Sequence, residues 1–118
     1  MATKQKLSKE SLVIKKENGK EIILDFGKLR RAVLTLRALN NPLRKKIVNM
    51  LEDKRSITVT EIYDSLKIEQ SVASQHLAIL RRADIVTTKR EGKSIYYGLN
   101  KKRIAEIIAL VEDLAQQE

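Results

Sequence analysis

A mainly α-helical fold with a small β-hairpin, of the α+β class, is what this sequence predicts, and three observations predict it. From Asp25 onward apolar residues recur at intervals of three and four, the period of helices with one buried face. Near the end of the chain two runs rich in β-branched and aromatic residues, 85–90 (IVTTKR) and 93–99 (KSIYYGL), are joined by Glu91-Gly92, the pattern of a hairpin. Four Gly and one Pro in 118 residues leave few breaks between these elements. The length suits one core, which we divide into an N-terminal arm over 1–24 and a folded domain over 25–118.

Taken in order, residues 1–11 carry no periodicity and read as an arm. In residues 12–24 the pair Asn18-Gly19 sits between two apolar ends and admits a small hairpin, although strict alternation is lacking. From Asp25, a candidate cap, Phe26, Leu29, Val33 and Leu36 form the stripe of a first long helix, with Leu34 and Leu39 lying off it. An apolar surface this broad suggests a second subunit. Asn41-Pro42 restarts the chain as N-cap and first helical residue, with Leu43, Ile47, Met50 and Leu51 inward and Arg44, Lys45 and Lys46 outward.

Thr58 and Glu61 fit a capping box that opens a short helix with Val59, Ile62, Tyr63 and Leu66 inward. After Lys67-Ile68-Glu69 a further helix starts near Gln70. Ala73, Leu77 and Leu80 share its buried face, leaving Ser71, Ser74, Gln75 and Arg82 on the other. Two short helices joined by a three- or four-residue turn make a helix-turn-helix, whose second helix enters the major groove of DNA. The hairpin that follows makes it winged, with Lys89, Arg90 and Lys93 at the tip. The alternative for those cations is edge-strand protection. Asn100 caps a last helix in which Ile104, Ile107, Ile108, Val111 and Leu114 repeat as an apolar stripe. We expect the first and last helices to pair across a two-fold axis.

Charge points the same way. The net charge is +9, and it is segregated: residues 28–55 hold nine Lys/Arg against two acids, residues 85–103 six against one, and residues 104–118 four acids and no base. Two basic blocks flanking a helix-turn-helix pattern make double-stranded DNA the expected partner. No apolar run approaches membrane length, so we expect a cytoplasmic chain without a membrane partner.

Residues 38–47 (ALNNPLRKKI), the 70–81 core (QSVASQHLAILR) and residues 89–97 (KREGKSIYY) resemble the ArsR family of bacterial winged helix-turn-helix repressors, in order, over roughly residues 26–115. The resemblance implies a homodimer formed by the first and last helices and bound to an imperfect inverted repeat in an operator. It places Gln70, Ser71, Ser74, Gln75 and His76 on the base-reading helix, where Val72, set away from the Ala73 face, is expected to meet a thymine methyl. Arg44, Lys45, Arg82, Lys89, Arg90 and Lys93 fall on the DNA backbone and wing. The chain departs from the family pattern at Asp84, where Gly is usual after the reading helix, and at Ala73, where Val or Ile is usual.

A larger departure concerns sensing. Metal-responsive members carry cysteines before the reading helix, or His and acidic ligands on the last helix. This chain has no Cys and one His, too few N or S donors for a transition-metal site, so no metal or cofactor is expected. No residue identifies an inducer. The absence of Cys, of a His-based triad and of a phosphate loop also argues against an enzyme. The competing function is a winged-helix module that binds an acidic protein patch rather than DNA.

Overall fold

The computed structural model describes residues 10–116, which fall into two compact units dividing after Thr35. The arm expected over 1–11 lies, for residues 1–9, outside the described residues. In the first unit β1 (Ser11–Lys15) pairs antiparallel with β2 (Glu21–Asp25), and α1 (Phe26–Leu39) starts at the residue after β2. Gly19 turns the hairpin at φ +87, and Asn18 Oδ1 accepts from Lys20 N at 2.9 Å. Asp25 does cap α1, its Oδ1 accepting from Gly27 N at 2.8 Å and Lys28 N at 3.4 Å.

Register supplies the alternation that the linear sequence hides. Leu12 stands opposite Leu24, Val13 opposite Ile23 and Ile14 opposite Ile22. Directly opposed residues share a face and successive ones do not. One face of the ribbon therefore carries Leu12, Ile14, Ile22 and Leu24. The other carries Val13 and Ile23 between Ser11–Asp25 and Lys15–Glu21.

The second unit holds the remaining helices α2 (Pro42–Lys54), α3 (Val59–Leu66), α4 (Gln70–Arg82) and α5 (Lys101–Ala115), with strands β3 (Ile57–Thr58), β4 (Val86–Glu91) and β5 (Ser94–Leu99). The sheet order is β3-β5-β4. The expected caps form as local chemistry dictates. Asn41 Oδ1 accepts from Leu43 N and Arg44 N, Thr58 and Glu61 close a full capping box, and Asn100 Oδ1 accepts from Arg103 N. The wing hairpin turns through Gly92 and Lys93, because Glu91 and Ser94 are its last pair, and Gly92 takes φ +63. Strand β3, two residues long, is a finding that no periodicity could foreshadow.

Ile47, Leu51, Ile62, Leu77, Leu80 and Ile85 form the centre of the core, each at most 1% exposed. Burial of one such side chain contributes about 1.5–3 kcal/mol before entropy is counted. Ala73 is also fully buried, so the expected Ala73, Leu77, Leu80 face is the face that packs. Where the family has a larger residue, the small methyl of Ala73 lies fully buried in this core.

Three helices end without glycine. Arg55, Lys67 and Asp84 all take left-handed φ values of 75, 58 and 62 at the C-termini of α2, α3 and α4. After α4, Asp84 N donates to Arg81 O and Ile85 N donates to Leu80 O, both at 2.9 Å. That pair of bonds is a Schellman motif, and its hydrophobic closure is the buried Leu80 and Ile85. Asp tolerates the left-handed region better than most residues, so Asp84 replaces Gly without loss of the turn. Gly98 sits close to backbone: a Cβ there would lie 3.2 Å from Arg55 O, a tight contact to which the carbonyl would have to yield by a few tenths of an ångström.

Candidate nucleic-acid interface

Helix α4 owes its orientation to the core beneath it. With Ala73, Leu77 and Leu80 buried, the opposite edge must face solvent, and Gln70, Ser71, Ser74 and Gln75 are exposed there. Val72 is half-buried at the margin. The exposed edge offers hydroxyl and amide groups that both donate and accept, the chemistry that base edges in a major groove require. Arg82 is exposed at the C-terminal end of the same helix, and Lys45 is exposed on α2.

Wing residues Lys89, Arg90 and Lys93 are exposed as well. Lys89 makes a 3.5 Å ion pair with Glu91, with both side chains more than half exposed, so the pair is weak and readily exchanged for a phosphate. Between α4 and the wing runs a groove lined by Ser74, Leu77, Ala78, Arg81, Arg82 and Tyr97. Arg81 and Tyr97 were not among the expected contacts. Helical periodicity could have found Arg81, which lies seven residues after Ser74 and so on the same edge. Tyr97 could not be placed without the strand register. A second hollow brings Arg55, Lys89 and Lys101 to the border of α2, the wing and α5.

Arg44 and His76, expected at the DNA backbone and among the base readers, meet each other. Arg44 Nη1 lies 3.1 Å from His76 Nδ1, Nε donates to Ala38 O, and Nη2 donates to Arg37 O at 3.4 Å. One guanidinium thus ties the end of α1 to the middle of α4. Because guanidinium can only donate, Nδ1 must accept, and the imidazole proton resides on Nε2. Burial, and secondarily the Arg44 charge, hold His76 below its ordinary value of 6.5.

The sign follows from that direction. The unfolded chain binds the proton at higher pH than the folded one, so His76 adds stability that is complete above 6.5 and is lost as pH falls below it. Thermal melts should therefore drop between pH 7.5 and 5.5. His76→Asn, whose amide oxygen can still accept from Arg44, should flatten that part of the curve, and an unchanged slope would remove His76 as its cause.

The residues expected at a subunit interface divide. Phe26, Leu29, Val33, Ile108, Val111 and Leu114 are exposed, from 37% for Phe26 to 69% for Leu114. Leu36, Ile104 and Ile107 instead pack into the core of their own chain. Leu34 and Leu110 add to the exposed set. The basic start of α5 is balanced within the chain: Lys101 pairs with Glu52 at 3.0 Å, and Arg103 pairs with Glu106 at 3.5 Å and donates to Ala83 O. These acids offset the cations at the positive end of the helix dipole.

Among the described residues no helix is long and apolar enough to cross a membrane, and no cluster of three His, Cys or acidic side chains could hold a metal.

Comparison with known proteins gives a consistent answer. A family model described as "Bacterial regulatory protein, arsR family" matches residues 41–88. The transcriptional repressor PagR of Bacillus anthracis is 37% identical over 91 residues, covering 77% of this chain and 91% of that protein. Its crystal structure matches with a TM-score of 0.60, over 73% of this chain and 98% of that one. HlyU of Vibrio cholerae, a transcriptional activator, is 37% identical over 84 residues, covering 71% of this chain and 77% of that protein. Its structure matches with a TM-score of 0.60 over 75% and 95% of the two chains. A homodimeric winged helix-turn-helix DNA-binding domain from Mycobacterium bovis, 26% identical, matches with a TM-score of 0.63 over 78% of this chain and 84% of that one.

Proposed function

This chain belongs to the arsR family of bacterial regulatory proteins and is a DNA-binding transcriptional regulator, and from that premise we propose that it is a repressor that binds an inverted-repeat operator as a homodimer. The observation that carries the proposal is α4: its apolar edge is locked into the core, while Gln70, Ser71, Ser74 and Gln75 are presented together beside a basic wing. Phosphate contacts from Lys45, Arg82, Lys89, Arg90 and Lys93 position the chain, and the amides and hydroxyls of α4 read bases. The half-buried Val72 adds an apolar contact suited to a thymine methyl.

Two protomers supply two reading helices, and a two-fold axis between them matches a palindromic site. Exposed aliphatic residues on α1 and on α5 support this assembly, and so does the homodimeric relative. Repression then follows from occupancy of the operator against polymerase. This reading places the chain in the compartment that holds the DNA.

The test is a binding titration on genomic DNA fragments at several salt concentrations. The log–log plot of affinity against salt should fall with a slope of about −5 to −9, given roughly five phosphate contacts from each of one or two protomers. Selected fragments should carry a half-site repeated at about one helical turn. A slope near zero, or equal affinity for shuffled fragments, would leave the basic surface to an acidic protein partner instead.

A further inference from the structure

We propose that the β1–β2 hairpin is a dimerisation arm, whose face of Leu12, Ile14, Ile22 and Leu24 packs against a second copy of this chain. The inference rests on the homodimer proposed above and adds to it an element outside the helices. Its starting point is an energetic imbalance. All six aliphatic residues of the two strands are between 43% and 51% exposed, so neither face of the ribbon is covered. A two-stranded ribbon is at best marginal in water by itself and gains independent stability only from a further layer against its apolar face. The register concentrates four of the six aliphatics on one face, whereas the other has two between polar and charged pairs. The four-residue face is the one that needs the layer.

The occupant follows from how the hairpin is joined to the chain. Strand β2 ends at Asp25 and α1 begins at Phe26, so no linker separates them. Asp25 caps the first turn of α1, and Phe26 N donates to Glu10 O at 3.1 Å, which clamps both strands to the start of the helix. The hairpin therefore goes where α1 goes. Within the same unit α1 exposes Phe26, Leu29, Val33 and Leu34, the surface assigned above to the subunit interface. The arm and these residues belong to one compact unit, joined without a break.

A two-fold contact also resolves the hazard such a ribbon presents. Exposed, apolar strands invite open-ended association. An isologous contact covers both copies in one step and then closes.

The 118-residue chain contains no cysteine, so single-cysteine variants report the state of one position without background. Ile14→Cys samples the four-residue face and Val13→Cys the opposite one. Each is alkylated with iodoacetamide at protein concentrations tenfold below and tenfold above the dimer Kd, which is measured by sedimentation equilibrium. Alkylation of I14C should slow at least tenfold in the concentrated sample, with V13C changing less than twofold. In parallel, Ile14→Glu combined with Ile22→Glu should raise the dimer Kd at least tenfold while helical circular dichroism is kept.

If the chain dimerises, Leu29→Glu abolishes the dimer, and I14C reacts at one rate throughout, the homodimer stands and the arm is overturned. A chain that stays monomeric at all concentrations overturns both. Slow alkylation of I14C in the dilute, monomeric sample would show that the chain covers the face itself, and the inference would fall. Equal slowing at both cysteines would overturn the choice of face.

Discussion

Leu77→Ala is expected to destabilise this protein by about 2–5 kcal/mol, the largest stability effect among the substitutions considered. Leu77 is 1% exposed and sits on α4 between the fully buried Ala73 and Leu80. Truncation removes the transfer free energy of the side chain and leaves a cavity in the close-packed cluster that Leu77 shares with Ile47, Leu51 and Ile62. The same leucine holds the polar edge of α4 outward. Operator binding should therefore weaken in step with the folded fraction near the unfolding midpoint, and recover at low temperature where the variant is folded. Urea titration of both proteins gives the difference through the shift in midpoint at constant slope. A loss below about 1 kcal/mol would mean that the core relaxes around this site more than its burial implies.

Gln75→Ala is expected to cost about 1–3 kcal/mol of binding free energy on the cognate operator and little on unrelated DNA, without changing stability. Gln75 is exposed and one residue before the half-buried His76, so its amide carries no packing role that the substitution would disturb. A Gln amide can donate to N7 and accept from N6 of one adenine in a bidentate contact. Lys89→Gln on the wing should behave in the opposite manner. It should weaken binding to all sequences alike and reduce the salt slope by about 1 for each protomer. The measurement is a pair of titrations, operator and shuffled sequence, for each variant. Equal losses on both sequences for Gln75→Ala would assign that residue to the backbone, and the reading of α4 would then rest on Ser71 and Ser74.

The features legible in the sequence share one property, which is that they depend on neighbours within four residues. Asn41, Thr58 with Glu61, and Asn100 cap helices because a short polar side chain satisfies amides two or three positions ahead. Ala73, Leu77 and Leu80 declare their face through helical period. Glu91 and Gly92 mark the wing turn to within a residue. The helix endings at Arg55, Lys67 and Asp84 were harder to place. Each takes a left-handed backbone without the glycine that usually signals it. What stabilises them is the closing bonds and the packing of the residues that follow, as Ile85 does after Asp84.

Other features depend on partners far along the chain. The bond between Arg44 and His76 spans 32 positions; the sequence puts Arg44 on the outer face of its helix and His76, partly buried, on the reading helix, and nothing in it pairs the two. Leu36, Ile104 and Ile107 repeat in register with the exposed apolar residues of their helices, yet they pack into the core of their own chain. Nothing in a helical stripe says which of its members meets the same chain and which meets another.

By itself, then, the sequence determined the order and type of the elements from Asp25 onward except the two-residue β3, the buried edge of α4, the basic character of the wing and the family resemblance that the comparisons later confirmed. These follow from period, capping and net charge, which are short-range or summed quantities. Only the tertiary structure decided the register of the first hairpin, the partner of Arg44, the groove that joins Arg81 to Tyr97 and the division of the apolar stripes between core and surface. Those depend on strand register and helix packing, where a shift of one residue turns a side chain from core to solvent. No local preference is strong enough to determine that.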